Sequence, residues 1–518
     1  MLWILVQTSF FQNYIVHRVA HRLSKNLNTT VSIKKIDIEL FDKMDLQGLL
    51  ILDHKKDTLL YAGDAKVTIT DWFFFKENIS LQYIGLYDAF VNLYRTDSTW
   101  NYQFLVDYFS GPKKQKDTSS TAINLDLKVL NLKNVKVWQR DEWRGENILA
   151  SVAQLNIHAD QFDINKKVIR ISSFLLDHPS FSMYDYTGKE PADTTSNRNT
   201  DSSSIKTDTP WNSDGWQLFV ENLSLKDGLA AIEKQGSTHP LMNVFDDSHI
   251  ILSDINATFK NTSLINDTLK AAISVSTKDR GGFVIKNLSG QWKFTPQIME
   301  FKNFDLRTNK SHLQNYFAMH YHHFNDDMQD FVHAVNLEAR FENSILSSED
   351  IAYFAPDVHT WNTVFTLNGE VHGTIDNLSA RKMIISAGNE NYLDGNVSLR
   401  GLPDIDKTFI DLRANELRTS YTELSKLIPS LKGIDQPKLS AFGKIKFSGS
   451  YTGYFNDFVT YGTLSTEIGT LQTDLHLKVP SVGKPIYQGT LSTNDFQLGK
   501  FISNSAIGNI SFDGKIKG

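Results

Sequence analysis

A short strand pattern that returns along the chain places the strongest limit on its fold. The stretch "IGLYDAFVNLYR" at residues 84–95 alternates apolar residues and is too apolar for a strand pair with one water-facing side. Related stretches begin at Leu130 ("LNLKNVKVWQ"), Phe174 ("FLLDHPSFSM") and Leu223 ("LSLKDGLAAI"). Aligned, all four read apolar-x-Leu-x-(Asp, Asn or His)-x-x-(Val, Phe or Ala).

The spacing of these copies predicts a repeat architecture. Counted from Ile84, the four starts are 46, 44 and 49 residues apart, and weaker copies begin at Met44 ("MDLQGLLILD") and Phe304 ("FDLRTNKSHL"). Repeats of this length stack as supersecondary units. At about 8–12 residues for each strand and turn, one repeat is expected to hold roughly four or five antiparallel strands.

The rest of the chain also favours strands. Alternating stretches rich in β-branched residues are separated by Asn, Asp and Gly, and we expect no helix between Thr29 and Phe341. Two short helices are expected later. "SSEDIAYFA" has Ser347 and Asp350 at capping-box spacing, and "SYTELSKLIPSLKG" has an apolar face that Pro429 bends or ends.

The N-terminus combines an apolar run with an amphipathic pattern. "MLWILV" is too short to span a bilayer, which needs roughly 20 residues, and it lacks the basic segment and cleavage site of a signal peptide. Behind it, apolar residues recur every four positions and basic residues occupy the other faces. We interpret residues 1–27 as the end of a membrane anchor, trimmed at its start, followed by an interfacial helix. A helix that caps a soluble core is the alternative.

Two polar stretches interrupt the strands. "SGPKKQKDTSST" at residues 110–121 is short, and residues 187–210 form a longer low-complexity stretch that is typical of disorder. The expected organisation is therefore an anchor end with a helix (1–27), β-groove repeats (28–186), a disordered polar loop (187–214), and further β-groove repeats to a truncated C-terminus (215–518).

Composition and charge exclude several classes of function. The chain has no cysteine, which excludes disulfide scaffolds, cysteine-ligated zinc and thiol catalysis, and which suits an oxidising compartment. The net charge is −6 with both signs interspersed, so no electrostatic footprint for nucleic acid is present.

An apolar face that repeats along a sheet has to be covered. One solution is an ordinary sandwich core, and periodicity alone does not exclude it. The other is a curved sheet whose concave face takes acyl chains, since each buried CH₂ contributes about 0.8 kcal/mol and a chain of about sixteen carbons gains about 13 kcal/mol. Strand register inverts at a slip of one residue, so the choice of face is a prediction in itself. The expected lining is Ile84, Leu86, Val91, Leu93, Leu130, Leu132, Val135, Val137, Phe174, Leu176, Leu223 and Leu225.

Motifs at both ends of the chain carry a family resemblance. Near the C-terminus these are "FSGSYTGYFNDF", "LSTEIGTLQTDL" and the run from Tyr487 to Gly508; at the N-terminus it is the stretch from "VQTSFFQNYIVHRVAHRL" to "LILDHKKDTLLYA". They resemble the TamB family as found in Bacteroidetes-type bacteria. The resemblance covers essentially the whole chain, although its motifs are weakly defined and depend mainly on the positions of glycines.

The resemblance implies a fold and a function. TamB proteins are related to the AsmA-like group and share a groove architecture with eukaryotic bridge-like lipid transfer proteins. The implied fold is mainly β: an elongated, repeating antiparallel β-groove, a taco-like twisted sheet with an apolar concave face, with an N-terminal amphipathic helix and a few short helices. An inner-membrane anchor and a periplasmic location are implied, with phospholipids as cargo and a BamA-like outer-membrane barrel as a possible partner.

No catalytic, metal or cofactor site is expected. "MHYHHF" is the best metal candidate, because His320 and His322 would share one strand face with His323 opposite, but no third ligand is specified. The carboxylate pair Asp246-Asp247 is typical of a turn.

Three classes of function follow from these observations. The first is a non-enzymatic conduit for phospholipids between the inner and outer membranes. The second is a periplasmic factor that assists outer-membrane β-barrel assembly by offering strand edges, which would tolerate charges in the groove but not prolines on an edge strand. The third is a β-solenoid adhesin or polysaccharide-acting enzyme, which would need clustered aromatic and carboxylate residues that the sequence does not specify.

Overall fold

The protein is mainly β. The computed structural model describes residues 9–39, 43–69, 79–110, 123–164, 166–190, 210–236, 241–427, 429–434, 436–480 and 485–518. Strands take up 63% of the described chain and helices 12%, which confirms the predicted class. The chain divides into two compact units, Met1–Val284 and Ile285–Gly518, each described by itself below.

The first unit has two helices and twelve strands among its described residues. The helices are α1 (Ser9–Leu27) and α2 (Gln103–Ser110). The strands are β1 (Val31–Ser32), β2 (Lys35–Glu39), β3 (Lys43–Leu52), β4 (Thr58–Ile69), β5 (Ile79–Arg95), β6 (Ile123–Asp141), β7 (Glu146–Asp163), β8 (Val168–Asp177), β9 (Ser180–Asp185), β10 (Gln217–Lys234), β11 (His249–Ile265) and β12 (Thr268–Asp279).

The second unit continues with strands and short helices. Its strands are β13 (Val284–Phe294, which begins at the boundary), β14 (Ile298–Arg307), β15 (His312–His320), β16 (Asn336–Ser347), β17 (Val364–Thr374), β18 (Asn377–Ala387), β19 (Asn391–Arg400), β20 (Phe409–Ser420), β21 (Lys444–Tyr454), β22 (Asp457–Thr466), β23 (Gly469–Lys478), β24 (Ile486–Phe496) and β25 (Ile510–Lys517). Its helices are α3 (Phe324–Gln329), α4 (Phe331–Ala334), α5 (Ser348–Phe354), α6 (Tyr421–Leu427) and α7 (Leu498–Phe501), with 3₁₀ turns at Pro356–Val358, Pro429–Gly433 and Leu439–Phe442.

The helices agree with the sequence only in part. The N-terminal helix and both later helices are confirmed, and α6 ends at Leu427, directly before the turn that Pro429 begins. The expectation of no helix between Thr29 and Phe341 is wrong, because α2, α3 and α4 lie there. Short apolar runs such as "QFLVDYFS" in α2 cannot be separated from strands by periodicity, which explains the miss.

Only one of the two hydrogen bonds of the predicted capping box forms at α5. Ser347 is the N-cap, and its side chain accepts a hydrogen bond from the backbone N–H of Glu349 at 3.3 Å. Asp350 does not complete the box. Its buried carboxylate instead accepts hydrogen bonds from the hydroxyls of Thr308 and Ser311, in the turn between β14 and β15. Because a buried carboxylate needs hydrogen-bond donors, Asp350 binds these two hydroxyls and not the backbone N–H at the helix terminus.

The first unit is a mixed sheet. β1 and β2 both pair with β3, and the pairs β3–β4, β4–β5, β6–β7, β10–β11 and β11–β12 are antiparallel, as β7 is to both β8 and β9. β5 and β6 are parallel, however, and β10 is parallel to both β8 and β9. The expectation of an antiparallel sheet throughout is therefore wrong at these two places. In the second unit each strand from β13 to β25 pairs antiparallel with the next, as expected.

The two places with parallel pairing coincide with the two polar stretches. Parallel neighbours need a crossover connection of a dozen or more residues. Residues 96–122 connect β5 to β6 and residues 186–216 connect β9 to β10, and these connections contain the polar stretches. Residues 191–209 lie outside the described residues. Thr187 and Glu190, at the start of the loop expected to be disordered, are hydrogen-bonded to Gln235 and Trp143.

A left-handed residue explains the repeat pattern. The fifth position of five copies has a positive φ: 62° at Gly48, 50° at Asp88, 53° at Asn134, 46° at His178 and 51° at Asp227. Gly, Asn and Asp adopt this conformation most readily, which accounts for the residue types found there. The copy expected at Phe304 has Thr308 at this position, without a positive φ, so that copy is not part of the repeat.

The left-handed residue interrupts the alternation of side chains, so that residues three apart share a face, as at a β-bulge. Leu132 and Val135 flank Asn134, and both belong to one apolar cluster that also contains Leu86 and Ala89, which flank Asp88. These two copies therefore keep their apolar side chains on one face across the break.

Substitution of Asn134 tests this role. We expect Asn134→Val to lower the free energy of unfolding by about 1–3 kcal/mol, because a β-branched residue is strained at positive φ. Asn134→Gly is the matched control, since it also removes the 2.7 Å hydrogen bond from Asn134 Nδ2 to Asp88 Oδ1 but allows the backbone conformation. Urea unfolding followed by circular dichroism measures the difference. Equal effects of the two variants would contradict the assignment.

Candidate functional site

The five copies run in one direction and lie in register. β3, β5, β6, β8 and β10 are mutually parallel, because each is either a parallel neighbour of the next or is separated from it by one antiparallel strand. The first positions of the copies are therefore aligned across the sheet. This first row is Met44, Val67, Ile84, Leu130, Ile157, Phe174, Leu223 and Phe259.

Three more apolar rows lie beside the first. Residues directly opposite each other in a sheet project from the same face, and the cluster around the left-handed residues places both sides of the break on that face. The second row is Leu46, Ala65, Leu86, Leu132, Leu155, Leu176, Leu225 and Ala257; the third is Leu49, Ala62, Ala89, Val135 and Val152; the fourth is Ile51, Leu60, Val91, Val137, Ala150, Phe181, Ala230 and Leu252. We call these four rows the repeat face.

All twelve residues predicted to line a groove lie on this side of the sheet. Eleven of them belong to the first four rows, and Leu93 follows in a fifth row, where it is opposite Gln139. That this face binds lipid stays a prediction. The sequence reasoning missed the residues of the return strands β4 and β7, such as Ala65 and Leu155, because these strands alternate without carrying the repeat motif.

The other face of the same strands is polar and aromatic. On β6 it carries Lys133, Lys136, Trp138 and Arg140, which alternate with the rows. The Arg140 guanidinium lies 4.4 Å from the centroid of the Trp138 ring, in a cation–π contact. The two faces therefore differ in chemistry, and the polar face is the one suited to water.

The repeat face is only partly covered. Among the twelve predicted residues Val135 is buried, at 6% exposure, and the others are half-buried. Phe181 in the fourth row is 40% exposed. A second sheet packed on this face would bury such side chains, as in a sandwich core. Phe181 and the half-buried residues of the rows are therefore not enclosed as the side chains of a sandwich core are.

Helix α1 covers the β3 end of the repeat face. Val16 is 4% exposed and packs with Ile33 and Ile36, and this cluster is in contact with Met44 and Leu49 of the first and third rows. Val16 of α1 thus packs on the protein, which agrees with the alternative in which the helix caps the fold. No helix among the described residues is long and apolar enough to cross a membrane. The expected anchor end, "MLWILV", lies outside the described residues.

A charged row borders the repeat face on one side. Beyond the fifth row, register aligns Arg95, Asp141, Glu146, Asp185 and Lys234. Arg95 and Asp141 form a bidentate ion pair, with Nε–Oδ1 and Nη2–Oδ2 distances of 2.7 and 2.6 Å, and their side chains are 11% and 4% exposed.

The ion pair keeps Asp141 ionised. Burial opposes the charge and would raise the pKa of Asp141, but hydrogen bonds from the Arg95 guanidinium and from the backbone N–H of Arg144 favour the carboxylate and hold the pKa below its usual value. The charged row therefore marks a sharp polar limit to the apolar rows.

The second unit carries comparable apolar rows on one face. Register aligns Leu367, Ile385, Leu393, Leu417, Phe447, Leu464 and Leu471. A further row lies four or five residues along each strand from the first. It is Val371, Ala380, Val397, Leu412 and Tyr451.

Glycines lie between these two rows, and the glycines of "FSGSYTG" are part of strand β21. Gly449 is opposite Gly462, and a Cβ on Gly449 would lie 2.1 Å from the backbone oxygen of Tyr461. The two backbones are too close for a side chain between them.

The histidine candidate is not assembled. His320 ends β15 and lies 3.4 Å from a carboxylate oxygen of Glu338, whereas His322 follows the strand and is exposed beside Asp327. The expectation that His320 and His322 share a strand face is wrong, because the strand ends between them. Within the described residues, no group of three His, Asp or Glu side chains could hold a metal ion.

A comparison of the chain with protein-family models and with curated protein sequences finds no match. The function is therefore argued from the repeat face itself and from the resemblance given above.

Proposed function

We propose that the chain is a non-enzymatic conduit for phospholipids whose acyl chains lie on the repeat face. The observation that carries this proposal is the alignment of five copies into apolar rows in which most of the larger side chains are only half-buried. An apolar surface of this extent requires a cover, and an acyl chain is a cover that can move along it.

The dimensions of the rows suit acyl chains. The first row crosses eight strands, which at about 4.8 Å for each step spans roughly 34 Å. The hydrocarbon core of a bilayer is about 30 Å thick, so one row offers about the length of two acyl chains end to end. Because an acyl chain of about sixteen carbons gains about 13 kcal/mol from an apolar environment, such contacts offset much of the cost of leaving a bilayer.

The charged row is where the headgroup of a bound phospholipid would lie. A phospholipid needs a polar, hydrated region next to its acyl chains. Lys234, whose side chain is 49% exposed, lies in this row at the limit of the apolar rows, where a headgroup would stay in water while its chains lie on the repeat face. No bond has to break for such transport, so no catalytic residue is required.

The cellular setting of the proposal comes from the TamB resemblance. It supports an inner-membrane-anchored protein in the periplasm that carries phospholipids between the inner and outer membranes of a Gram-negative bacterium, with a BamA-like barrel as a possible partner. The absence of cysteine from the sequence suits that oxidising compartment.

Native mass spectrometry with lipid extraction tests the proposal. We expect the chain, expressed in a Gram-negative host and purified without detergent, to carry one or more phospholipids for each protein molecule. A monodisperse, lipid-free protein would contradict the proposal. It would favour the second hypothesis, in which strand edges assist outer-membrane barrel assembly and a proline on an edge strand, rather than a charge on the repeat face, would remove function.

A further inference from the structure

Helix α1 presents a basic face to solvent. The helix contains no Asp or Glu, and His17, Arg18, His21, Arg22 and Lys25 are all exposed. At 100° for each residue, Arg18 and Lys25 lie opposite the buried side chains of the helix, and the others lie on either side of them. The chain as a whole has a net charge of −6, so this helix is a local reversal of its charge.

The cations of this face are not neutralised within the described structure. None of Arg18, Arg22 and Lys25 forms an ion pair with a carboxylate in the described parts of the chain. Arg18 donates a hydrogen bond of 2.9 Å to the hydroxyl of Tyr14, which is itself 53% exposed. Three cations are thus held on one rigid surface with their charge directed to solvent.

The protein covers two apolar side chains of α1 that lie opposite the basic face. Val16 and Leu27 are 4% and 5% exposed, and Val16 packs against Ile33 and Ile36. An ordinary interfacial helix buries its apolar side in the bilayer. Val16 and Leu27 are already buried against the protein, so a partner at the exposed basic face would be recognised by charge.

One tyrosine lies within the basic face and another lies beside the helix. Tyr14 lies within this face, and Tyr108 of α2 is joined to α1 by a 3.2 Å hydrogen bond from Asn26 Nδ2. Tyr108 is 41% exposed. Tyrosine beside Arg and Lys is the combination found at the headgroup level of membranes, where the ring meets the interface and the cation meets phosphate.

We propose that the basic face of α1 docks the protein on the surface of a bilayer that contains anionic phospholipids. Docking is by headgroup charge, with α1 lying between the bilayer on one side and the β3 end of the repeat face on the other. This orientation brings the first apolar row next to the membrane that supplies or receives lipid. The docking itself does not depend on the proposed lipid transport and is tested separately from it.

The experiment is vesicle sedimentation of the full chain at low ionic strength, with phosphatidylcholine vesicles that either contain or lack phosphatidylglycerol. We expect tighter binding to the anionic vesicles. Each cation near an anionic surface contributes roughly fivefold to affinity, so the combined variant Arg18→Gln, Arg22→Gln and Lys25→Gln should bind anionic vesicles roughly 100-fold more weakly. High salt should produce a similar loss.

Two matched variants keep the outcome interpretable. Lys500→Gln, Lys515→Gln and Lys517→Gln remove the same charge from exposed positions of the second unit and should leave binding unchanged. Arg18→Lys with Arg22→Lys keeps the charge and should also bind, which separates a charge effect from a folding defect. Residues 1–8 are present in every variant, so any membrane affinity of theirs cancels in the comparison.

Several results would overturn the proposal. These are unchanged binding by the triple glutamine variant, equal binding of the parent chain to neutral and anionic vesicles, and a similar loss from the second-unit control. Retention on heparin without binding to vesicles would also overturn it, in favour of an acidic polymer as partner. Bound phospholipid in the purified protein is a separate readout, so failure of docking and failure of lipid carriage are distinguishable.

Discussion

Replacing Leu86, Leu132 and Leu225 together by aspartate is expected to remove the bound phospholipid while the protein stays folded. All three lie in the second row, on β5, β6 and β10. A carboxylate there would have to lose its water whenever an acyl chain covered it, at a cost of several kcal/mol for each charge. Because the three side chains are half-buried in the lipid-free sheet, the new carboxylates can be hydrated there and folding is expected to survive.

The opposite face supplies the matched control. Ser151→Asp, Gln154→Asp and Ser224→Asp introduce the same charge on β7 and β10, at positions paired with the polar face. Lipid extraction and native mass spectrometry are expected to find phospholipid on the control variant and none on the leucine variant, with equal circular dichroism spectra. Lipid retained by the leucine variant, or lost equally from both, would contradict a role of the repeat face in binding.

The repeat motif shows what could be predicted from the sequence. Ile84 and Leu86 precede Asp88 at even sequence numbers, whereas Val91 and Leu93 follow it at odd sequence numbers. The sequence shows this change in alternation but not its cause. The positive φ of Asp88 supplies that cause, and an Asn or Asp at a fixed place within a strand was the signal for it.

The strand directions were harder to predict. An antiparallel return strand such as β7 and a long crossover such as residues 96–122 both bring the chain back to start the next copy in the same direction. A spacing of 44 or 46 residues does not separate the two routes. The expectation of four or five strands in one repeat is therefore wrong: consecutive copies are one or two strand positions apart in the sheet. The two polar stretches were the available signal, because long connections permit parallel neighbours.

The position of α1 could not be read from its amphipathic pattern. Apolar residues on one face of a helix are buried equally well by a bilayer or by a sheet. Which of the two covers Val16 depends on Ile36 in β2 and on Ile33 between β1 and β2, and these strands are placed by pairing with β3 in the tertiary structure. Sequence periodicity carries no information on that choice.

Removing one partner of the buried ion pair in the charged row is expected to have the largest effect on stability. Asp141→Ala should lower the free energy of unfolding by about 3–5 kcal/mol, because the guanidinium of Arg95 is 11% exposed and would lose its counter-charge. The double variant Arg95→Met with Asp141→Ala should recover much of the loss, since it leaves no unpaired charge. Urea unfolding of the parent, the two single variants and the double variant completes a double-mutant cycle. A double variant as unstable as the sum of the single variants would contradict the coupling.

The same pair gives the protein a dependence on acid pH whose sign follows from the pKa of Asp141. That pKa is lowered in the folded state, where burial alone would raise it and where the Arg95 and Arg144 hydrogen bonds prevail. The stability that the pair contributes is therefore complete above the unfolded value of about 3.9 and is lost as the pH falls through the lower folded value. We expect the difference in unfolding free energy between the parent and Asp141→Asn to be constant from neutral pH down to about pH 4 and to shrink below it. A difference that shrank between pH 7 and about pH 5 would mean that Asp141 is not held ionised by Arg95, and the charged row would then not be a fixed polar limit of the repeat face.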